Sequence, residues 1–138
     1  MPQTVRFGVS LDGALLERFE RRIRREGYGN RSEAIRDLIR ESLVAEEWGE
    51  NDAVVGAITL VFDHHVRELS ERLMDIQHHH VGEIVSTLHV HLDRDHCMET
   101  LVVRAKASRA RHLADALRSL RGVKHVALAM TTSARNLP

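Results

Sequence analysis

Val5-Arg6-Phe7-Gly8-Val9-Ser10-Leu11 alternates apolar and polar residues, the period of a half-buried strand. Asp12 follows as a helix N-cap, and Leu15, Leu16, Phe19 and Ile23 fall on one helical stripe that ends at Gly27. After a turn through Tyr28-Gly29-Asn30-Arg31, a second helix starts near Ser32, with Ile35, Leu38, Ile39 and Leu43 as its apolar face. The first 45 residues thus read strand, helix, helix. One amphipathic strand has no sheet to join within that stretch, and its backbone groups need partners. Pairing with the same strand of a second chain supplies them. The expected product is a two-stranded antiparallel ribbon over four helices, an obligate two-fold dimer.

Glu46 to Asp52 is acidic, contains Gly49, and reads as a connection. Beyond it the pattern gives strand Val54–Phe62, helix His64–Gln77, strand Ile84–Leu92, a turn at Asp93–Asp95, strand Cys97–Arg104, helix Ser108–Leu120 and strand Val123–Met130. That order, βαββαβ, is the ferredoxin-like arrangement, so the fold class expected is α+β. The expected domains are residues 1–47, a linker at 48–53, a second domain at 54–132 and a tail at 133–138.

Composition sharpens this picture in three places. The formal net charge is zero, but residues 1–45 carry nine arginines and no lysine. Guanidinium reads phosphate and guanine bidentately where lysine does not. A single cysteine excludes an internal disulfide framework. Histidine is the unusual residue: ten in all, six of them between positions 78 and 96. No stretch is apolar enough to span a membrane and no signal-peptide pattern opens the chain, so a cytoplasmic protein is expected.

In the expected ribbon Val5, Phe7, Val9 and Leu11 face the helices, leaving Arg6, Gly8 and Ser10 outward. A paired ribbon presents those three residues twice and fits the major groove of double-stranded DNA. Arg6 can bridge guanine acceptors, Ser10 can donate or accept, and Gly8 permits close approach. The start of the second helix, at Asn30, Arg31 and Ser32, offers free N–H groups and an arginine to a backbone phosphate.

The second domain carries different chemistry. Thr87-Leu88-His89-Val90-His91 sets two imidazoles at i and i+2 of a strand, hence on one face, with Leu88, Val90 and Leu92 expected to pack on the helices. The turn returns Cys97 beside His91, and His78-His79-His80, which closes the preceding helix, could supply a fourth ligand. Imidazoles with a thiolate suit a borderline ion, and zinc, Ni(II) and Cu(II) all satisfy that description. His64, His65, His79, His80 and His96 stand as possible aids to metal capture, and His112 and His125 read as structural or surface residues.

Residues 3–45 resemble the ribbon-helix-helix repressors, and Gly27 to Arg40 looks like the turn and second helix of that family's nickel-responsive branch. Gln77-His78-His79-His80, Thr87-Leu88-His89-Val90-His91 and the cysteine six residues later extend the resemblance over nearly the whole chain. It implies a nickel-dependent repressor of nickel-uptake genes that holds one Ni(II) per subunit. His89, His91 and Cys97 would come from one subunit and His78 from another, in a homotetramer built as a dimer of dimers on palindromic operator half-sites. It also implies a weaker cation site at Glu33 and Asp37. Glycine at position 8, where some relatives have a hydroxyl residue, leaves the operator sequence open.

Three other readings compete. A ribbon-helix-helix antitoxin would use its C-terminal half to grip a protein, but such segments are commonly short and disordered, whereas residues 54–131 are patterned as a folded domain. A zinc or copper sensor would share the architecture. A metalloenzyme needs a general base and an open metal position, and four protein ligands leave none.

Overall fold

The computed structural model describes residues 3–138 and divides into two compact units, residues 1–40 and 41–138. In the first unit, Asp12 caps helix α1 (Gly13–Glu26) by accepting from the Ala14 and Leu15 amides, and Gly27 closes it in the left-handed conformation, φ 81°. Such a φ suits a residue without Cβ. Helix α2 (Arg31–Gly49) begins after Asn30, whose side chain accepts from the Glu33 amide.

Residues 3–12 form no hydrogen-bonded strand in the single chain, and Val5, Phe7, Val9 and Leu11 are all exposed. The expected Val5–Leu11 strand is therefore absent here, because a ladder needs a second strand and the described residues 3–40 contain none. The proposed outward and inward rows are equally open. The helical stripes are only partly covered: Ile23 and Ala34 are buried, whereas Leu15, Leu38 and Ile39 are exposed.

The connection expected at residues 48–53 is also different. Helix α2 covers its first two residues, Trp48 and Gly49, and Trp48, 1% exposed, is buried in the second unit. The Trp48 indole N–H donates to the Thr131 carbonyl at 3.0 Å, and the Arg111 guanidinium lies 5.6 Å from the ring centroid. Gly56 makes room for the indole: a Cβ there would sit 3.2 Å from the ring.

The second unit contains strand β1 (Ala53–Asp63), helix α3 (Leu69–His78), strands β2 (Ile84–His91) and β3 (His96–Lys106), helix α4 (Ala107–Arg118) and strand β4 (Val123–Thr131). The sheet is antiparallel throughout in the order β2-β3-β1-β4, as the ferredoxin-like pattern requires. Helix α3 starts at Leu69 rather than His64. Residues 64–68 form turns, ending at Glu68 with φ 67°.

One face of the sheet makes the core. Ile58, Leu60 and Phe62 of β1 and Leu101 and Val103 of β3 pack on Leu69, Leu73, Leu113 and Leu117 of the helices. Thr87, His89 and His91 pair with Leu101, Glu99 and Cys97, so the histidine row lies on this helix-side face. Leu88, Val90 and Leu92 therefore take the opposite face, where Leu88 and Leu92 are exposed, contrary to the expected packing on the helices. The register decides this. Cys97 and Leu101 belong to the buried row of β3, and whatever pairs beside them must share its side.

Candidate metal centre

Strand alternation and the turn at 92–95 bring three donors together. One ligand atom each from His89, His91 and Cys97 lies within 4.8 Å of the other two, and among the described residues this is the one such group. The Asp93 carboxylate shapes the turn by accepting from the Asp95 and His96 amides, each at 2.8 Å. Cys97 is buried, at 1% exposure, with Sγ 3.3 Å from His91 Nδ1. The two imidazoles are exposed, their centroids 5.1 Å apart, and Phe62 meets His89 edge-on at 5.9 Å. A thiolate and two imidazoles can converge on one borderline-soft ion without moving the backbone, and the open side admits a further donor. The donor set fits nickel.

Two supporting residues belong to this site. Gln77 at the end of α3 donates to Glu99 Oε1 at 3.0 Å, and Glu99 Oε2 lies 3.9 Å from His89 Nδ1. Sequence reasoning passed over Glu99. The available signal was a charged residue on the row Cys97, Leu101, Val103.

The histidine triplet divides into three fates. His78 is exposed and lines a groove of about 250 Å³ with Met74, Gln77, Val81 and Ile84, apart from the His89–His91–Cys97 group of its own chain. His79 bonds the Asp75 carbonyl at 2.7 Å. His80 is buried, 3.5 Å from Glu83 and 3.4 Å from Arg109. Burial, with the adjacent Arg109 charge, pushes the His80 imidazole below its ordinary pKa, and hydrogen bonds from Arg109 hold the Glu83 carboxyl below the usual carboxylate range. His112 lies beside His80, ring centroids 6.2 Å apart, and His125 is exposed on β4.

At the hairpin tip His64 Nε2 bonds the Arg94 carbonyl at 2.7 Å, His65 pairs with Asp95 at 3.2 Å, and His96 pairs with Asp93 at 3.1 Å. In the first unit Arg6, Gly8, Ser10, Asn30, Arg31 and Ser32 are exposed, but Arg31 is ion-paired with Glu20 rather than free. Asp37 accepts from the Tyr28 hydroxyl at 2.8 Å and pairs with Arg40 at 3.5 Å, while Glu33 stands one turn earlier on α2. No helix among the described residues is long and apolar enough to cross a membrane.

Residues 5–46 match the family model described as ribbon-helix-helix protein, copG family, and residues 55–131 match the NikR C-terminal nickel-binding domain. The two together define a two-domain transcription regulator with a nickel-binding C-terminal half, not an enzyme. At full length the chain is 54% identical to a protein of Geobacter metallireducens over 99% of both chains, and 51% identical to one of Thermococcus onnurineus over 96% of both. Both are provisionally named nickel-responsive regulators. The chain belongs to the family of nickel-responsive ribbon-helix-helix regulators. Its fold is similar to that of an uncharacterized protein from Thermotoga maritima at TM-score 0.52 and 14% identity, covering 56% of this chain and 96% of that one.

Proposed function

We propose that this protein is a cytoplasmic, nickel-dependent DNA-binding repressor of nickel-uptake genes. Each subunit holds one Ni(II) on His89, His91 and Cys97, with His78 of another subunit as the fourth ligand. The observation that carries the reading is the convergence of those three donors, with both imidazoles open to the outside and His78 apart from them in the same chain. Bound nickel supplies a cross-link between subunits.

The exposed apolar residues support the assembly. Val5, Phe7, Val9 and Leu11 are what a ribbon paired across a two-fold axis would cover, giving the DNA-binding dimer. Met74 and Val81 are exposed and line the groove with His78, Val85 is exposed on β2, and Leu88 is exposed on the face opposite the helices. Covering such surfaces by other subunits fits a dimer of dimers. In the dimer Arg6, Gly8 and Ser10 enter the major groove of palindromic half-sites, and Asn30, Arg31 and Ser32 hold the phosphates. Arg31 would exchange Glu20 for phosphate. Glu33 and Asp37, one turn apart on α2, form a weaker cation site.

Metal controls DNA only by favouring the arrangement of subunits that fits the operator. A site shared between chains does this, because filling it fixes those chains relative to each other. The test is the electronic spectrum during Ni(II) titration. We expect one ion per subunit with a thiolate-to-metal charge-transfer band, and loss of both band and tight binding in Cys97→Ser with the far-UV circular dichroism unchanged. A Cys97→Ser protein that keeps band and affinity would contradict the assignment.

A further inference from the structure

The turn at 79–83 joins α3 to β2, and within it Val81 is 74% exposed while His80 is 6% exposed. The His80 amide donates to the Gln77 carbonyl at 3.0 Å, and the His80 carbonyl accepts from the Glu83 and Ile84 amides at 2.8 and 3.0 Å. The side chains of His80 and Glu83 both meet Arg109 of α4. Arg109 Nη2 donates to Glu83 Oε1 at 2.8 Å and lies 3.4 Å from His80 Nδ1, and Arg109 Nε reaches the two Glu83 oxygens at 3.2 and 3.3 Å. Paired contacts of this kind fix direction as well as distance. Arg109 stands on fixed backbone. The Ala107 amide donates to the Asp52 carbonyl, the Ser108 amide donates to Asn51 Oδ1, and Ala107 and Ala110 are buried. His78, the last residue of α3, has no such support: it is exposed, and among the described residues no hydrogen bond or ion pair holds its imidazole. Its place is set by the turn that follows it.

We propose that Arg109 is a positioning residue for His78: by clamping His80 and Glu83 to α4 it aims the end of α3, and with it the ligand given to a neighbouring subunit. This rests on the reading of His78 as the fourth ligand of another chain's site. A donor from a separate chain binds well only where its own chain already holds it in place, because loose backbone must otherwise be ordered when the ion arrives. Without Arg109 the turn keeps its backbone bonds, but His80 and Glu83 lose the group that ties them to α4. The other three ligands do not depend on that contact. His91 and Cys97 pair at one end of the β2–β3 hairpin, whereas Glu83 and Ile84 meet β3 at the other, beside Val103 and Arg104. Arg109 therefore serves the neighbour's site rather than the one its own chain builds.

The experiment uses Arg109→Glu, which sets two like charges against each other at the turn, and Arg109→Ala, which only removes the contact, both in the full chain. Ni(II) affinity is read by competition with a chromophoric chelator. Alone, Arg109→Glu should keep the thiolate band and lose about 10–100-fold in affinity, the range for groups that orient a metal ligand. Arg109→Ala takes its place if Arg109→Glu fails to fold. The variant is then unfolded and refolded together with Cys97→Ala. In a hybrid pair the Arg109 variant keeps its own three ligands and receives a well-placed His78 from its neighbour, so about a quarter of all sites should bind at wild-type affinity. No such sites in mixed assemblies confirmed by native mass spectrometry would mean that Arg109 supports its own chain's ligands or fold, and overturns the proposal. Wild-type affinity in both variants alone overturns it too, as does failure of both to fold. His78→Ala mixed with Cys97→Ala is the control: if that mixture restores no site, the shared centre itself fails, and the role of Arg109 with it.

Discussion

In residues 3–40 Val5, Phe7, Val9, Leu11, Leu15, Leu38 and Ile39 stand exposed, and Ile23 and Ala34 are the buried apolar residues. In residues 41–138 both helices and all four strands contribute to a continuous core from Ile58 to Val126, and Trp48 closes a second cluster with Val54, Ala107 and Ala110. The second unit encloses a core within its own chain while leaving Met74, Val81, Val85 and Leu88 exposed, and the first has the apolar residues of a core without the surfaces to enclose them. The lesson concerns where each function can reside. A unit with a core of its own can hold three ligands preformed, even where a fourth comes from another chain. A unit whose core needs a second chain presents its reading surface only as a two-fold pair.

The sharpest way to break this contrast is Phe7→Lys. Two phenylalanine side chains per dimer would leave the shared core, a loss of roughly 3–6 kcal/mol from burial alone, with two like charges added across the axis. Operator binding should vanish and helicity from α1 and α2 should fall, while the Ni(II) charge-transfer band persists. Circular dichroism, gel shift and the Ni(II) spectrum on one preparation check all three. A Phe7→Lys protein that binds operator normally would show that the first unit is not completed by ribbon pairing.

Arg6→Ala probes the surface of that unit rather than its core. Each copy should cost about 1–3 kcal/mol in operator recognition, with helicity and nickel affinity unchanged. Gel shift against specific and non-specific DNA, paired with a metal titration, measures it. Full-strength operator selection by this variant would remove Arg6 from the reading surface.

The smallest effect is expected in the second unit and concerns acid. Glu83 is held below its ordinary value of 4.5 by hydrogen bonds from Arg109. A carboxyl with a depressed folded-state pKa contributes stability that is full above the unfolded value and is lost as pH falls through the folded one. Metal-free wild type should therefore lose stability relative to Glu83→Gln as pH drops below about 4.5, with the gap largest near neutrality. Urea unfolding across that range checks it, and parallel curves for the two proteins would remove Glu83 from the acid response.

Much of this was legible because strand and helix periods are local. The caps at Asp12 and Gly27, the βαββαβ order and the convergence of His89, His91 and Cys97 follow from alternation and one tight turn. The side of the sheet was not legible. Leu88 and Leu92 read as core, but β2 is an edge strand, and its pairing to Cys97 and Leu101 turns its polar row toward the helix side. The reach of α2 into the expected connection was hidden for a related reason. The acidic residues there and Gly49 outweighed Trp48, which falls four residues after Val44 and continues the helical stripe into the second unit. Glu99 was hidden because a carboxylate in a strand reads as solvent-facing until register puts it beside His89.

The central claim is that each metal site takes three ligands from one chain and His78 from another, and one mixture tests it. His78→Ala and Cys97→Ala proteins, each unable to bind Ni(II) tightly alone, are unfolded together, refolded, and confirmed as mixed assemblies by native mass spectrometry. In a hybrid pair the His78→Ala chain keeps His89, His91 and Cys97 and receives His78 from its neighbour, while the twin site lacks both Cys97 and His78. Random pairing makes half the pairs hybrid, so equilibrium dialysis should find about a quarter of all sites binding Ni(II) tightly. If His78 acts within its own chain, no mixture restores a site, and zero tight binding in confirmed hybrids would contradict the shared centre.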